Sequence, residues 1–321
     1  MGDAMTVLET NGPLRDDALP DALERLRHWA HVAPLQIALR HKRHGQWYAW
    51  RWIDALRDVE QLVDGLRQQG FEQRSRLALS GAFDPDFLLL ALAAQASGGS
   101  LVVVPAPTTV GQVRSLLDVQ RPTHAFVQPR RDLGLWLAAG EDRSAPPALI
   151  CGQRLLQEAA TSAITSIGQL RASEGVAAER HRLKRGADVE QLWAEEGSEW
   201  SGGFAVVLGQ WLSSGQALAF AESPGSVARD RRDVSPTGLV LSAPRLLALA
   251  NEIESRLPPA GSWRRRVCDW TLADPGRGVR RLLRHRVKRL LGFARLSFIW
   301  QAAAQTPAAH PWVAPAVREA A

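Results

Sequence analysis

The residues nearest in type to a phosphate-handling loop are Thr161-Ser162-Ala163-Ile164-Thr165-Ser166-Ile167-Gly168. Such a loop aims successive backbone N–H groups at the anion and needs glycine wherever the backbone approaches it closely. Ala163 and Ile164 put side chains at those points, and Gln169-Leu170-Arg171 continue the stretch, so it reads as a helix. Lys184-Arg185-Gly186 has no glycines before it and reads as a solvated turn. Asp84 and Asp86 have the spacing of a carboxylate pair, but capping a helix from Asp84 to Ala96 is the simpler role. His28/His31 and His41/His44 stand three apart without any His-x-x-x-His or Cys-x-x-Cys, and they read as solvated surface. Ser213-Ser214-Gly215 is not the Gly-x-Ser-x-Gly elbow of a hydrolase. Cys151 and Cys268 form neither a disulfide framework nor a metal-ligand spacing. Residue chemistry alone therefore assigns no catalytic, cofactor or metal-binding residue.

Charge singles out one segment. The chain carries 39 basic and 33 acidic side chains, yet Arg264–Arg295 holds eleven basic residues against only Asp269 and Asp274. The remainder is slightly acidic, so the high pI describes that segment rather than the whole surface. Val279, Leu282, Leu283, Val287, Leu290 and Leu291 recur there at helical spacing, with Arg280, Arg281, Arg284, Arg286, Lys288 and Arg289 between them. One helix can thus present an apolar stripe flanked by cations. Arg280, Arg281, Arg284 and Lys288 are assigned to an anionic surface, with lipid headgroups preferred. Nucleic acid is not favoured, because no aromatic platform accompanies these arginines in the reading of the segment. The alternative is an ordinary amphipathic helix packed on the domain.

These residues must be positioned by a fold, and periodicity outlines it. Leu19-Pro20-Asp21 opens a helix with Leu23, Leu26, Trp29 and Ala30 on one face. Ile37–Lys42 and Trp47–Arg51 flank the hairpin signal His44-Gly45, and Trp50 and Trp52 read as packing on one strand face. A helix follows through Leu66 and ends at Gly70. Strands at 76–80, 100–104 and 123–127 then alternate with helices over 84–96 and 110–119. After a polar middle at about 171–201, a helix over Phe204–Leu212 precedes strands at 217–221 and 238–241, the latter ended by a proline stop at Pro244. Such alternation predicts an α/β fold with mainly parallel sheets. No run approaches the roughly 18–20 apolar residues of a membrane span. The acidic start MGDAMTVLET is not a secretory signal, and its formal match to a lipidation pattern is discounted. The expected location is cytoplasmic, peripheral at the inner membrane face.

YAWRWIDALRDVEQLVDGLRQQGFEQRSRLALSGAFDPDFLLLALAAQASGGSLVVVPAPTT resembles the start of an AMP-forming acyl-CoA ligase of the acyl-adenylate-forming superfamily. Trp50, Trp52, Gly70, Pro85-Asp86-Phe87, Gly98-Gly99 and Pro105 follow that family's order. Leu212-Ser213-Ser214-Gly215, Ala219–Ala221, Glu222-Ser223-Pro224, Ser235-Pro236-Thr237, Pro244-Arg245 and LGFARLSF (291–298) are similar to its long-chain branch. The resemblance runs from Leu19 to Phe298 and implies an incomplete version of the family's large N-terminal domain, spanning 19–300 between flexible tails at 1–18 and 301–321. It places Trp211, Gly215, Pro244 and Arg245 near an acyl-substrate site, although core packing is the stronger reading of Trp211. It also implies an internal deletion near 171–201, because the family's Thr-Ser-Gly-Thr-Thr-Gly-x-Pro-Lys-Gly loop has no counterpart. The Ser-Gly-Gly-Ala-Pro turn is replaced by Ile299-Trp300-Gln301-Ala302-Ala303. The Tyr-Gly-x-Thr-Glu element, the ribose-binding Asp and the C-terminal lid with its Lys have no match. Lys42, Lys184 and Lys288 are the only lysines, and none has a matching context. The expected protein is thus a non-adenylating relative acting through a partner that covers the incomplete sheet, or through an acyl or lipid surface. ATP, Mg and CoA would be cofactors only if the family activity survives. The alternatives are an active ligase with an unrecognised phosphate site and a basic membrane- or nucleic-acid-binding protein on an inherited scaffold.

Overall fold

The computed structural model describes residues 20–152, 164–171, 181–182, 190–273, 278–300 and 310–313. The tail at 1–18, most of the tail at 301–321, Thr161–Ala163 and Lys184–Gly186 lie outside the described residues. In chain order, α1 (Pro20–Val32) precedes β1 (Ile37–Arg43), β2 (Gln46–Arg51) and α2 (Trp52–Gln68). β3 (Arg76–Ser80), α3 (Pro85–Ala96), β4 (Ser100–Val103), α4 (Val110–Gln120), β5 (His124–Val127), α5 (Arg130–Gly140) and β6 (Ala148–Cys151) then alternate, followed by β7 (Ile164–Ser166) and α6 (Ile167–Arg171). β8 (His181–Arg182), β9 (Gln191–Ala194), α7 (Gly203–Ser214), β10 (Ala217–Phe220), α8 (Val227–Val234) and β11 (Gly238–Val240) come next. α9 (Ala243–Arg256), α10 (Trp263–Ala273), α11 (Val279–Leu291) and β12 (Phe298–Trp300) complete the described elements.

The chain divides into two compact units. One comprises Met1–Ala33, Ile53–Ala178 and Gly197–Gly209. Its sheet has the order β4-β3-β5-β6-β7 and is parallel throughout. α3 shows why a parallel sheet forms here. Its sequence PDFLLLALAAQA is apolar all round, a composition stable only when every side is covered, and Pro85 to Ala94 are all buried. The Asp84 carboxylate accepts from the Phe87 amide at 2.9 Å and caps this helix, as its position before a proline suggests. Asp86 does not share that role. It lies buried 2.8 Å from Arg171, whose guanidinium is also 3.3 Å from buried Asp58. Ile164–Ser166, expected as helix, pairs instead with β6 as a parallel strand, and the helix starts only at Ile167. β-branched Ile164 and Thr165 favour the strand, and Ser166 starts the helix by accepting from the Gln169 amide at 3.2 Å.

The other unit comprises Pro34–Trp52, Glu179–Glu196 and Gln210–Ala321. Its seven strands take the order β12-β11-β9-β10-β1-β2-β8. β12, β11, β9, β10 and β1 are parallel, and β2 returns antiparallel on β1 through His44 and Gly45, both left-handed at φ 49° and 72°. Four sequence expectations change in this unit. The polar middle contains β9, whose Gln191–Ala194 are all buried between β10 and β11, so part of the expected gap is central sheet. Pro244 starts a helix rather than ending a strand, with Ser242 accepting from the Arg245 amide at 3.2 Å as the cap of α9. Trp52 belongs to α2 rather than to the strand carrying Trp50. His41 is buried in β1, whereas His28, His31 and His44 are exposed. Trp193, Leu239, Leu246, Leu249, Ile253, Phe293 and Trp312 form the apolar cluster of this unit.

Candidate functional site

In open parallel sheets ligands gather outside the carboxyl ends of strands, where successive connections leave in opposite directions. In the five-stranded sheet that point lies between β3 and β5. Its backbone donors are already engaged. The Gly81 amide donates to the Ser198 hydroxyl at 3.0 Å and the Ala82 amide to the Gln128 side chain at 2.6 Å. Gln128 donates in turn to Asp84 at 2.7 Å, and Gly197 bridges Ala82. A methyl group added at Gly81 would meet the Gln128 side chain at 2.5 Å, so the crevice is filled by the chain itself.

In the seven-stranded sheet the corresponding ends carry Glu195 and Glu196 after β9, Glu222 after β10 and Ser242 after β11. Glu195 is buried 3.2 Å from Arg231 and 2.6 Å from Arg245, and both arginines also reach Glu252, at 2.8 and 3.2 Å. Arg245, a candidate for acyl-substrate contact, thus has its guanidinium held by two carboxylates. Pro244 stands beside it in the first turn of α9. Trp211 is fully buried, stacks on Trp52 with centroids 5.1 Å apart, and donates its indole N–H to the Ala38 carbonyl at 3.0 Å. Gly215 is left-handed at φ 66° in the turn that enters β10. Because β10 and β11 both run parallel to β9, Gly215 lies at the amino edge of the sheet and Arg245 at the carboxyl edge. The four candidates do not converge.

The same edge yields a pH expectation. Burial alone would raise the Asp230 carboxyl, but hydrogen bonds from Lys42 (2.7 Å), Ser226 (2.6 Å) and the Glu222 amide (3.1 Å) outweigh it and hold the group below its usual range. A depressed folded pKa adds stability that is present above the unfolded value of about 3.9 and lost as pH falls through the folded one. The urea midpoint should therefore hold steady from neutral pH down to about 5 and drop below about 4. Asp230→Asn should have a lower midpoint at neutral pH and a shallower acid drop; equal acid slopes in the two proteins would contradict this assignment.

The basic segment forms two helices, α10 and α11, packed on each other. Arg280 of α11 lies 4.1 Å over the Trp270 ring of α10, and Arg264 lies 5.4 Å over Trp263. The arginines are therefore accompanied by aromatics, contrary to the expectation from the sequence. The helical stripe read in α11 also divides. Leu291 and Val287 turn inward and join the apolar cluster, Leu283 is half-buried, and Val279, Leu282 and Leu290 stay exposed. Trp263, Val267 and Trp270 on α10 are exposed as well. Six of the eleven large apolar side chains exposed among the described residues thus fall on these two helices, beside the arginines. Arg281, Arg284, His285 and Lys288 follow i, i+3, i+4, i+7 spacing and share one face of α11. With Gly278 and Leu282 they line a groove of about 480 Å³. No helix among the described residues is long and apolar enough to cross a membrane, and no described cluster of His, Cys, Asp or Glu could hold a metal ion.

No family model and no curated protein matches the chain. Solved structures do. The adenylation domain of a carboxylate reductase from Mycobacterium chelonae is similar at TM-score 0.60 and 15% identity, over 89% of this chain and 56% of that one. A long-chain-fatty-acid-CoA ligase from Archaeoglobus fulgidus gives TM-score 0.60 and 11% identity over 87% of this chain and 63% of that one. The luciferase-like enzyme of the nonluminescent mealworm Zophobas morio gives TM-score 0.55 and 13% identity over 72% and 60%. The chain spans less than two thirds of the length of each. At these identities the likeness establishes a shared fold.

Proposed function

We propose that this chain is a non-adenylating relative of the AMP-forming acyl-CoA ligases that works at an anionic lipid surface. The observation that carries the reading is the α10–α11 pair, where exposed Trp263, Trp270, Val279, Leu282 and Leu290 stand among arginines. Aromatic and aliphatic side chains enter the headgroup boundary while neighbouring cations meet anionic lipid. The reading as a non-adenylating relative rests on the sequence, which has no glycine-rich phosphate loop, and on the strand ends. Their backbone donors and guanidinium groups are already bound within the chain, a poor fit to a nucleotide triphosphate. Single-stranded nucleic acid is less favoured because Arg280 covers one face of Trp270, leaving less ring for base stacking.

Each cation at the headgroup plane contributes about 1 kcal/mol, screened by salt. The purified chain should therefore sediment with phosphatidylserine-containing vesicles at low salt, much less at high salt, and little with neutral vesicles. Replacing Arg280, Arg281, Arg284 and Lys288 together with Gln should lower partitioning at least tenfold, about a third of the roughly 4 kcal/mol those charges offer. Equal binding to neutral vesicles, or tighter binding to an oligonucleotide, would overturn the lipid reading. The competing reading is an active ligase; fatty-acid-dependent ATP–pyrophosphate exchange well above a no-enzyme control would establish it.

A further inference from the structure

Four lysine and arginine side chains are buried among the described residues, and three of them hold two carboxylates each. Lys42 lies 2.7 Å from both Asp230 and Asp233, Arg171 holds Asp58 and Asp86, and Arg231 holds Glu195 and Glu252. Arg40, in the middle of β1 and 5% exposed, has no carboxylate partner among the described residues. Its Nη1 donates to the side-chain oxygen of Gln191 at 2.5 Å, and its guanidinium carbon lies over the Trp47 ring, 5.2 Å from the centroid. Strand pairing puts these groups on one sheet face. Arg40 stands opposite Ala219 of β10, Ala219 opposite Trp193 of β9, and Gln191 is two residues before Trp193; Trp47 of β2 stands opposite Lys42, two residues after Arg40. Nε is fully covered without a hydrogen-bond partner, and Nη2 makes no hydrogen bond although it is not fully covered. One whole edge of the guanidinium is therefore unused, and it opens to solvent at Nη2. Burial, reinforced by the charge of Arg295, lowers the Arg40 pKa to about 10, so the group is still a cation at neutral pH. A buried cation with no acid beside it raises the free energy of the folded protein, and an anion bound against it relieves that cost.

We propose that the Nε–Nη2 edge of Arg40 binds a small carboxylate-type monoanion taken from solution. The two N–H groups of that edge run parallel by covalent geometry alone, and they match the two oxygens of a carboxylate in a bidentate contact. One edge of one guanidinium compensates one charge, and the second charge of a dianion would be desolvated without a donor of its own. The Trp47 ring covers one face of the guanidinium and leaves the in-plane edge as the side where an acceptor can sit. The site lies wholly within the seven-stranded unit and is independent of the lipid-surface reading.

Urea unfolding of the full chain in sodium formate, compared with sodium chloride at the same ionic strength, tests this. Above the dissociation constant, each tenfold rise in formate should raise the folding constant about tenfold, whereas chloride should leave it unchanged. In Arg40→Met, which keeps the length of the side chain without its charge, the midpoints in formate and in chloride should coincide. Arg40→Lys keeps the charge but not the planar edge, and calorimetry should show formate bound at least tenfold more weakly than by the unaltered chain. If neither variant folds, equilibrium dialysis of the unaltered chain should still find one formate site, competed by acetate and not by chloride. Identical unfolding in formate and chloride overturns the inference, and so does an equal formate dependence in the unaltered chain and Arg40→Met. Stronger stabilisation by sulfate than by formate, lost in Arg40→Met, would place a dianion at Arg40 and overturn the carboxylate chemistry.

Discussion

Arg171→Ala is expected to lower the stability of its unit by about 3–5 kcal/mol, the cost of stripping one partner from a buried ion pair. Arg171 lies between Asp86 at 2.8 Å and Asp58 at 3.3 Å, and all three side chains are buried. Burial alone would lower the Arg171 pKa, but the charges of Asp86 and Asp58 outweigh it and raise it, so the cation is tightly held. Removing it takes the cation away from two buried carboxylates. Urea unfolding measures the loss. Arg171→Ala with Asp58→Asn and Asp86→Asn should recover much of it, because the penalty belongs to uncompensated charge rather than to lost packing. Arg171→Lys should fall between, since an ammonium offers no planar fork to two acceptors. A loss below about 1 kcal/mol in Arg171→Ala would show that the pair is hydrated and the assignment wrong.

Trp211→Ala is expected to cost about 3–5 kcal/mol, the range for truncating a large buried side chain. Two effects combine. The indole stacks on Trp52 at an interplanar angle of 11°, and its N–H donates to the Ala38 carbonyl. That carbonyl lies where the β1–β2 register shifts between Ile37 and Leu39, so the indole serves an acceptor set apart from the regular ladder. Trp211→Phe keeps an aromatic ring but removes the donor to that carbonyl, and about 1–3 kcal/mol of the loss should remain. If Trp211 instead faced an acyl ligand, Trp211→Ala would change acyl-chain binding while moving the urea midpoint little. Measuring both quantities on the same variants separates the two roles.

Much of this architecture is legible without coordinates. The 76–80, 100–104 and 123–127 strands, the Asp84 cap and the His44-Gly45 hairpin follow from local rules, because each depends on residues within a few positions of one another. The all-apolar α3 by itself requires coverage on every side. The start of α9 was also within reach, since Ser242-Ala243-Pro244 carries a cap residue and an early proline, the signal that a stop reading overlooks.

Other features depend on residues that only the fold brings together. β9 is four residues long with Glu190, Glu195 and Glu196 at its ends, so its sequence reads as polar; it becomes central sheet because Arg231 and Arg245, 36 and 50 positions further on, neutralise Glu195. Asp58, Asp86 and Arg171 are likewise far apart in sequence, and only tertiary packing turns them into one buried cluster. The basic segment lies between these cases. Sequence fixes its charge and helical spacing, since both are local properties of the chain. Which apolar residues face the core and which stay in water depends on what packs against the helix, and that divides Val287 and Leu291 from Val279, Leu282 and Leu290.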